Sequence, residues 1–423
     1  MAQPAKCFRR PILALAVLAA PLSGYSADPY FAYSERNIEV TAAGTGTYAV
    51  NLARSCLRLD GLLTRILGIE TAYRAPTYIY ALPGKEMKRF TKGDYQSAYN
   101  VSRFGNTVLL DTTALKNGRD YYGAYFGYVA TLLSGKQGLD APYWYQIGVP
   151  SVFADVYFEG PHARVGGITP AFAFTLRRAG ALMPMQTFLS LTHDEVVKKG
   201  GFYEELYDAE AWYLARRIYV EGKRRAEFTH YLQLLRSGKP EEAAFAASFA
   251  MSHADLDKEL AASMRDPAHI YSLDANAGAG DTPAAATPLS TAEVQARLAL
   301  LTVRYADGPD AVRLASEALR SQGDNETALR ALALALLGKG EWTAALAAAE
   351  RLPPALASAG AYDDRGDVLA ALADAAAGGK ATLSSDTAAL RGRAGRDYLA
   401  ALSMNRDDAR AEQGLAGLAS GAP

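Results

Sequence analysis

One stretch, Asp274 to Ser290 (DANAGAGDTPAAATPLS), constrains the fold more than any other. Ala, Gly, Pro and Thr dominate it and no apolar period runs through it, the composition of a flexible or partly extended linker. Ahead of it lie several runs of β-branched and aromatic residues. Beyond it Ala, Leu and Arg take over and strand formers become sparse. The first part can therefore build a sheet, whereas the second can build only helices. With 423 residues the chain has ample length for two or three such units.

The second part repeats itself. Ala311, Ala315 and Ala318 mark a helix in DAVRLASEALRSQGDN, and adding 34 gives Ala345, Ala349 and Leu352 in WTAALAAAERLP. Leu332 stands in the same relation to Leu298, Gly340 falls at a turn between two helices, and Pro353 follows the second. Small side chains at helix crossings let neighbouring helices approach closely enough to stack. This 34-residue period resembles tetratricopeptide repeats, with a further degenerate unit in Gly395 to Leu418. An ordinary Ala-rich bundle is the plainer alternative. Two or three repeats are near the minimum for a stable stack, so the module either docks a partner or caps the first unit.

In the first part, Asn37 to Val40 reads as a short strand and Ala49 to Leu67 as a long amphipathic helix. Pro76 to Leu82 (PTYIYAL) and Asn106 to Asp111 (NTVLLD) read as further strands. Helical patterns then dominate Tyr121 to Phe153, Ala211 to Tyr219, Phe228 to Leu235 and Ala243 to Phe249.

The segment YYGAYFGYVATLLSGKQGLDAPYWYQIGVPSVF, Tyr121 to Phe153, carries a second resemblance. Gluzincin zinc peptidases place H-E-x-x-H on a helix, so two imidazoles one turn apart face the same metal. The Glu between them activates the metal-bound water, and a Glu on a following helix completes the ligand set. Tyr128, Leu132, Leu133, Trp144 and Gly148 stand where the peptidase-MA-like branch of that family has H-E-Y-x-H-x-L-L and then W-x-x-E-G-x-A. The two His positions are Phe126 and Ala130, the general-base position is Gly127, and the third-ligand position is Ile147. None of these side chains can ligate zinc or move a proton. The resemblance, covering roughly residues 30–262, implies a peptidase fold that has lost its chemistry. The plainer alternative is a buried helix with a wide aromatic face.

If such a fold keeps its groove, Tyr122, Tyr125, Tyr143, Trp144 and Tyr145 are candidates to line it, offering apolar area with polar tips to a peptide or sugar. The five histidines, His162, His193, His230, His253 and His269, include no pair three or four apart, so no metal site and no cofactor are expected. Gly44-Thr-Gly46-Thr-Tyr-Ala49 matches G-x-G-x-x-A, but a turn into a helix explains it more simply than a dinucleotide site. Arg216, Arg217, Lys223, Arg224 and Arg225 read as a solvated helix end and turn, with an anionic-ligand site as the lesser alternative.

Residues 1–27 read as a secretory signal: Lys6, Arg9 and Arg10, then a short apolar core, then Gly24-Tyr25-Ser26 as a cleavage site. Tyr25 stands where a lipoprotein would need Cys. Removing three basic residues takes the net charge from −1 to −4, which leaves no electrostatic footprint for nucleic acid. No later apolar run is long enough to span a bilayer. Cys7 lies in the signal, so Cys56 is alone in the mature chain and reads as a small buried hydrophobe.

The expected class is α+β: a gluzincin-like domain at 28–270 (a small sheet followed by a helical bundle), a linker at 271–290, and an all-α tetratricopeptide-like domain at 291–423. The expected function is non-catalytic binding of a peptide, protein or cell-wall ligand in the periplasm or outside the cell. An active hydrolase or metallopeptidase with an unrecognised site and a structural envelope protein are the alternatives.

Overall fold

The computed structural model describes residues 28–68, 76–91, 96–102, 105–114, 121–137, 141–264, 269–275, 284–305, 309–383, 385–406 and 408–420. The expected signal, with Cys7, and the middle of the expected linker, 276–283, lie outside them. The architecture is mixed: a small sheet with helices, then a helical C-terminal part.

The chain opens with the hairpin β1 (Tyr30–Glu35) and β2 (Ile38–Ala43), followed by the long helix α1 (Gly46–Leu67). Thr45 caps α1, its side chain accepting from the Tyr48 amide, so the Gly44–Gly46 motif serves as a turn into the helix. Next come β3 (Thr77–Leu82), the single turn α2 (Gly84–Met87), β4 (Ser97–Ser102) and β5 (Gly105–Asp111). Helix α3 (Tyr122–Gln137) crosses back over the sheet, and α4 (Tyr143–Ala154) packs against α3. A small second sheet uses β6 (Tyr157–Glu159), β7 (His162–Val165) and the later β8 (Tyr271–Asp274). Between β7 and β8 run α5 (Pro170–Ala179), α6 (Met185–Ser190), α7 (His193–Lys199), α8 (Gly201–Tyr219), α9 (Arg225–Arg236), α10 (Glu241–Ser248) and α11 (His253–Ser263).

Thr287–Pro288, inside the expected linker, forms the two-residue strand β9 and pairs antiparallel with β1. The main sheet then runs β4-β5-β3-β2-β1-β9, with β2, β3 and β5 parallel. Strand β3 is buried on both faces, which is why TYIYAL reads as an almost unbroken apolar run. Ile79 and Ala81 point into a core shared with Leu52, Leu59, Tyr128 and Trp144. Tyr78, Tyr80 and Leu82 point the other way, into a core shared with Leu298 and Leu301.

Those last residues belong to α12 (Thr291–Tyr305), the first helix of the C-terminal part. After it come α13 (Pro309–Ser321), α14 (Glu326–Gly338), α15 (Trp342–Glu350), α16 (Ala359–Ala377), α17 (Thr387–Met404) and α18 (Ala409–Ser420). Helices α12 and α13, α14 and α15, and α16 and α17 pack as successive pairs, while α14 also packs on both α12 and α16. Ala311, Ala315, Ala318, Ala345 and Ala349 are all buried at these crossings. No helix among the described residues is long and apolar enough to cross a membrane.

Candidate functional site

The four positions singled out in the sequence sit on α3 and α4, which pack against each other. Helix α3 lies close across β4 and β5 because glycine faces the sheet at two places. A Cβ on Gly123 would stand 2.6 Å from Ser97 Cβ, and one on Gly127 would stand 2.8 Å from Val108 Cγ1. A side chain at 127 therefore has no room without parting helix and sheet. Ala130 is buried, while Phe126 is half-buried and tilts against Tyr99 of β4, ring centres 6.1 Å apart. Ile147 is partly buried against the main core.

Of the five rings expected to line a groove, Tyr125, Trp144 and Tyr145 are only 3%, 0% and 3% exposed. They are core residues: Trp144 meets Phe228 edge-on and Tyr145 meets Tyr219. Tyr122 and Tyr143 are half-buried. Tyr143 stacks on Tyr207 with centres 5.2 Å apart and takes His193 edge-on at the same distance. Tyr143 and Ile147 lie one turn apart on the same face of α4.

Next to Tyr143 lies a pair of carboxylates that sequence reasoning passed over. Asp208 is pushed up to about 7, first by burial and then by Glu204 one turn before it. Burial, Asp208, Glu204 and Tyr99, in that order, push the Tyr143 hydroxyl up. Two residues on, Glu210 is pushed up to about 8 by burial, although its Oε1 accepts the Met183 amide at 2.8 Å. In sequence these acids look like a solvated helix face; only tertiary packing on α8, which α4, α5 and α7 all contact, takes them out of water, Glu210 fully and Asp208 in part.

The histidines do not converge. His253 Nε2 lies 3.2 Å from Glu241 and its ring stacks on Phe245. His230 Nδ1 lies 3.3 Å from Ser248 Oγ. His193 Nδ1 lies 3.0 Å from Asp194, and His162 sits in β7. Among the described residues no group of three or more His, Cys, Asp or Glu is placed to hold a metal ion. Cys56 is fully buried, and burial pushes its thiol well above the usual range, so it packs as a hydrophobe.

A cavity of about 530 Å³ opens elsewhere, between α5, α8, the end of α11 and β8. Arg216 and Arg217 belong to its lining, and so does Lys223 just past the end of α8. No family model, no curated protein and no solved structure matches the chain.

Proposed function

We propose that this is an exported, catalytically inactive metallopeptidase-like protein that binds a peptide, protein or cell-wall component. On this reading Phe126, Gly127, Ala130 and Ile147 are former catalytic positions of a gluzincin-like domain. Helices α12 to α18 are tetratricopeptide-like repeats. The observation that carries it is Gly127: with Val108 Cγ1 only 2.8 Å from where a Cβ would stand, the general-base position has become a helix–sheet contact. Around it, the exposed ring of Tyr99 and the half-buried rings of Phe126 and Tyr143 supply aromatic surface, with hydroxyl tips on the two tyrosines, suited to an extended ligand. The pairing of α12 to α17 and their buried alanines support the repeat reading. The test is elemental analysis of the purified protein after expression with added zinc. Less than about a tenth of an equivalent is expected, because a zinc site needs at least three converging ligands. About one tightly held zinc per chain would overturn the proposal.

One observation favours the rival reading, a hydrolase. Asp208, pushed up to about 7, has the proton affinity a general acid or base needs at neutral pH. If that reading holds, hydrolysis of a peptide or glycan will resist chelators and disappear in Asp208→Asn. Unchanged turnover in that variant removes Asp208 from the chemistry.

A further inference from the structure

The cavity between α5, α8, α11 and β8 is lined by two unlike kinds of side chain. Trp212, Tyr213, Leu176, Met264 and Tyr271 give it apolar and aromatic surface. Arg177, Arg216, Arg217 and Lys223 join them against a single carboxylate, Glu221, four cations to one anion, with Arg216 set over the Trp212 and Tyr271 rings. Arg216 is tied down: its Nε donates to the Gly166 carbonyl at 2.9 Å, one terminal nitrogen to the His269 carbonyl at 3.0 Å, and the other to Glu221. Arg217 shares that same carboxylate at 2.6 Å, so Glu221 is fully committed to these two. Arg177 and Lys223, at the exposed rim, have no acidic partner among the described residues. The Nε of Arg217 and the indole nitrogen of Trp212 are buried donors without a hydrogen-bond partner.

Cations in the last turn of a helix offset its macrodipole, which explains why Arg177, Arg216 and Arg217 are tolerated there. The dipole does not explain a cavity beside them, nor why Arg177 and Lys223 line it without a carboxylate to pair with among the described residues. We infer that this cavity is a binding site for a small amphipathic anion, a carboxylate or phosphate headgroup on an apolar or aromatic body. The headgroup pairs with Arg177 and Lys223 at the rim, and the body lies against Trp212 and Tyr271. The volume is within the range of small-molecule sites. The inference is independent of the pseudopeptidase reading, because the walls come from elements other than α3 and α4.

The test is isothermal titration calorimetry of the purified protein with octanoate, octyl phosphate, octanol and inorganic phosphate. One molecule of octanoate or octyl phosphate is expected to bind per chain, with Trp212 emission changing in step. Preference between the two identifies the headgroup, and either preference supports the site. Octanol and inorganic phosphate should each bind at least about tenfold more weakly, since each lacks one half of the recognition. The double variant Arg177→Ala/Lys223→Ala, both at exposed positions, should lose about tenfold in affinity with an unchanged melting temperature. Octanol binding as tightly as octanoate, an unaffected double variant, or no binding of either anion at millimolar concentration would overturn the inference.

Discussion

Gly148 is where two helices of the main core touch backbone to backbone, and filling that contact tests the packing of the whole first part. A Cβ at 148 would lie 2.2 Å from the Ala211 carbonyl oxygen and 3.2 Å from Ala215 Cβ. The first obstacle is backbone inside α8, so no rotamer change relieves it. Helices α4 and α8 would have to part by roughly 1 Å in an interior packed like a crystal. Overpacking of this kind costs about 1–3 kcal/mol, and a backbone obstacle argues for the upper end. Replacing Gly by Ala in a helix returns up to about 1 kcal/mol. Gly148→Ala should therefore lose about 2 kcal/mol, a fall in melting temperature of roughly 2–3 °C for a chain of this length. Gly392, exposed within α17 and meeting nothing closer than an Arg396 nitrogen at 3.8 Å, is the control. Gly392→Ala should gain by up to about 1 kcal/mol from propensity alone. Urea and thermal unfolding followed by far-UV circular dichroism compare the two. If Gly148→Ala is as stable as the parent, or rises together with Gly392→Ala, the close crossing of α4 and α8 is wrong.

Two neighbouring aspartates should respond to pH in opposite senses. Asp363 is fully buried and neither of its oxygens has a hydrogen-bond partner; burial pushes it up to about 8, against the pull of Arg410. The folded state then keeps a proton that the unfolded chain releases near pH 4, so stability should fall as pH rises from about 4 to about 8. Asp208 and Glu210, also pushed up by burial, add to the same fall, so Asp363→Asn should remove roughly a third of the slope in urea midpoints measured at pH 5, 7 and 9; an unchanged slope would show that Asp363 is not one of its sources. Asp364 behaves oppositely: burial pushes it up, but Arg330, Arg410 and Arg304 together hold it well below the carboxylate range. Its stabilisation is present above the ordinary carboxylate value and is lost only in strong acid. Asp364→Asn leaves three buried guanidinium groups short of a counter-charge and should cost about 3–5 kcal/mol at pH 7; a loss below about 1 kcal/mol would place that network in contact with solvent.

What the sequence disclosed follows from how local each signal was. Helix α1 was legible because an apolar stripe runs the length of Ala49 to Leu67, and β3 and β5 because burial on both faces makes them continuous apolar runs. Strand β4 (SAYNVS) carries no such signal: it is a half-buried edge strand whose polar residues resemble a loop. The two-residue strand β9 has no pattern of its own and exists only because β1 offers an open edge. The alanines at 311, 315 and 318 announced the helix crossings of the second part, since only small side chains fit there. The cavity was half legible. The cluster Arg216, Arg217 and Lys223 was visible, but Arg177 on α5 and Tyr271 on β8 join it only through tertiary packing. Asp208 and Glu210 gave no signal, because a buried acid and a solvated one look alike in a helix.

The change of composition at 274–290 separates two kinds of sequence, yet the packing runs across it. Without α12, the side of the sheet carrying Tyr78, Tyr80, Leu82 and Leu109 would face water, a large apolar patch that an isolated first part could not leave open. The join is polar as well as apolar. Asn100 of β4 donates to the Arg304 carbonyl at 2.7 Å, and the Arg304 guanidinium lies 3.5 Å above the Tyr78 ring. Arg297 pairs with Glu39 of β2 and reaches Thr41 at 3.2 Å. Arg304 and Arg330 then converge on Asp364 in α16 at 3.3 and 2.6 Å, with Arg410 on its other oxygen at 2.8 Å. A buried network of this kind is weak evidence for stability but strict about geometry, because displacing one helix strands several charges at once. Tyr78 of the sheet touches Arg304, and Arg304 touches Asp364, so the arrangement of the C-terminal helices is set against the sheet. The first task of the helical part is therefore to cap the sheet, and a partner can use only the helix surfaces that face away from it.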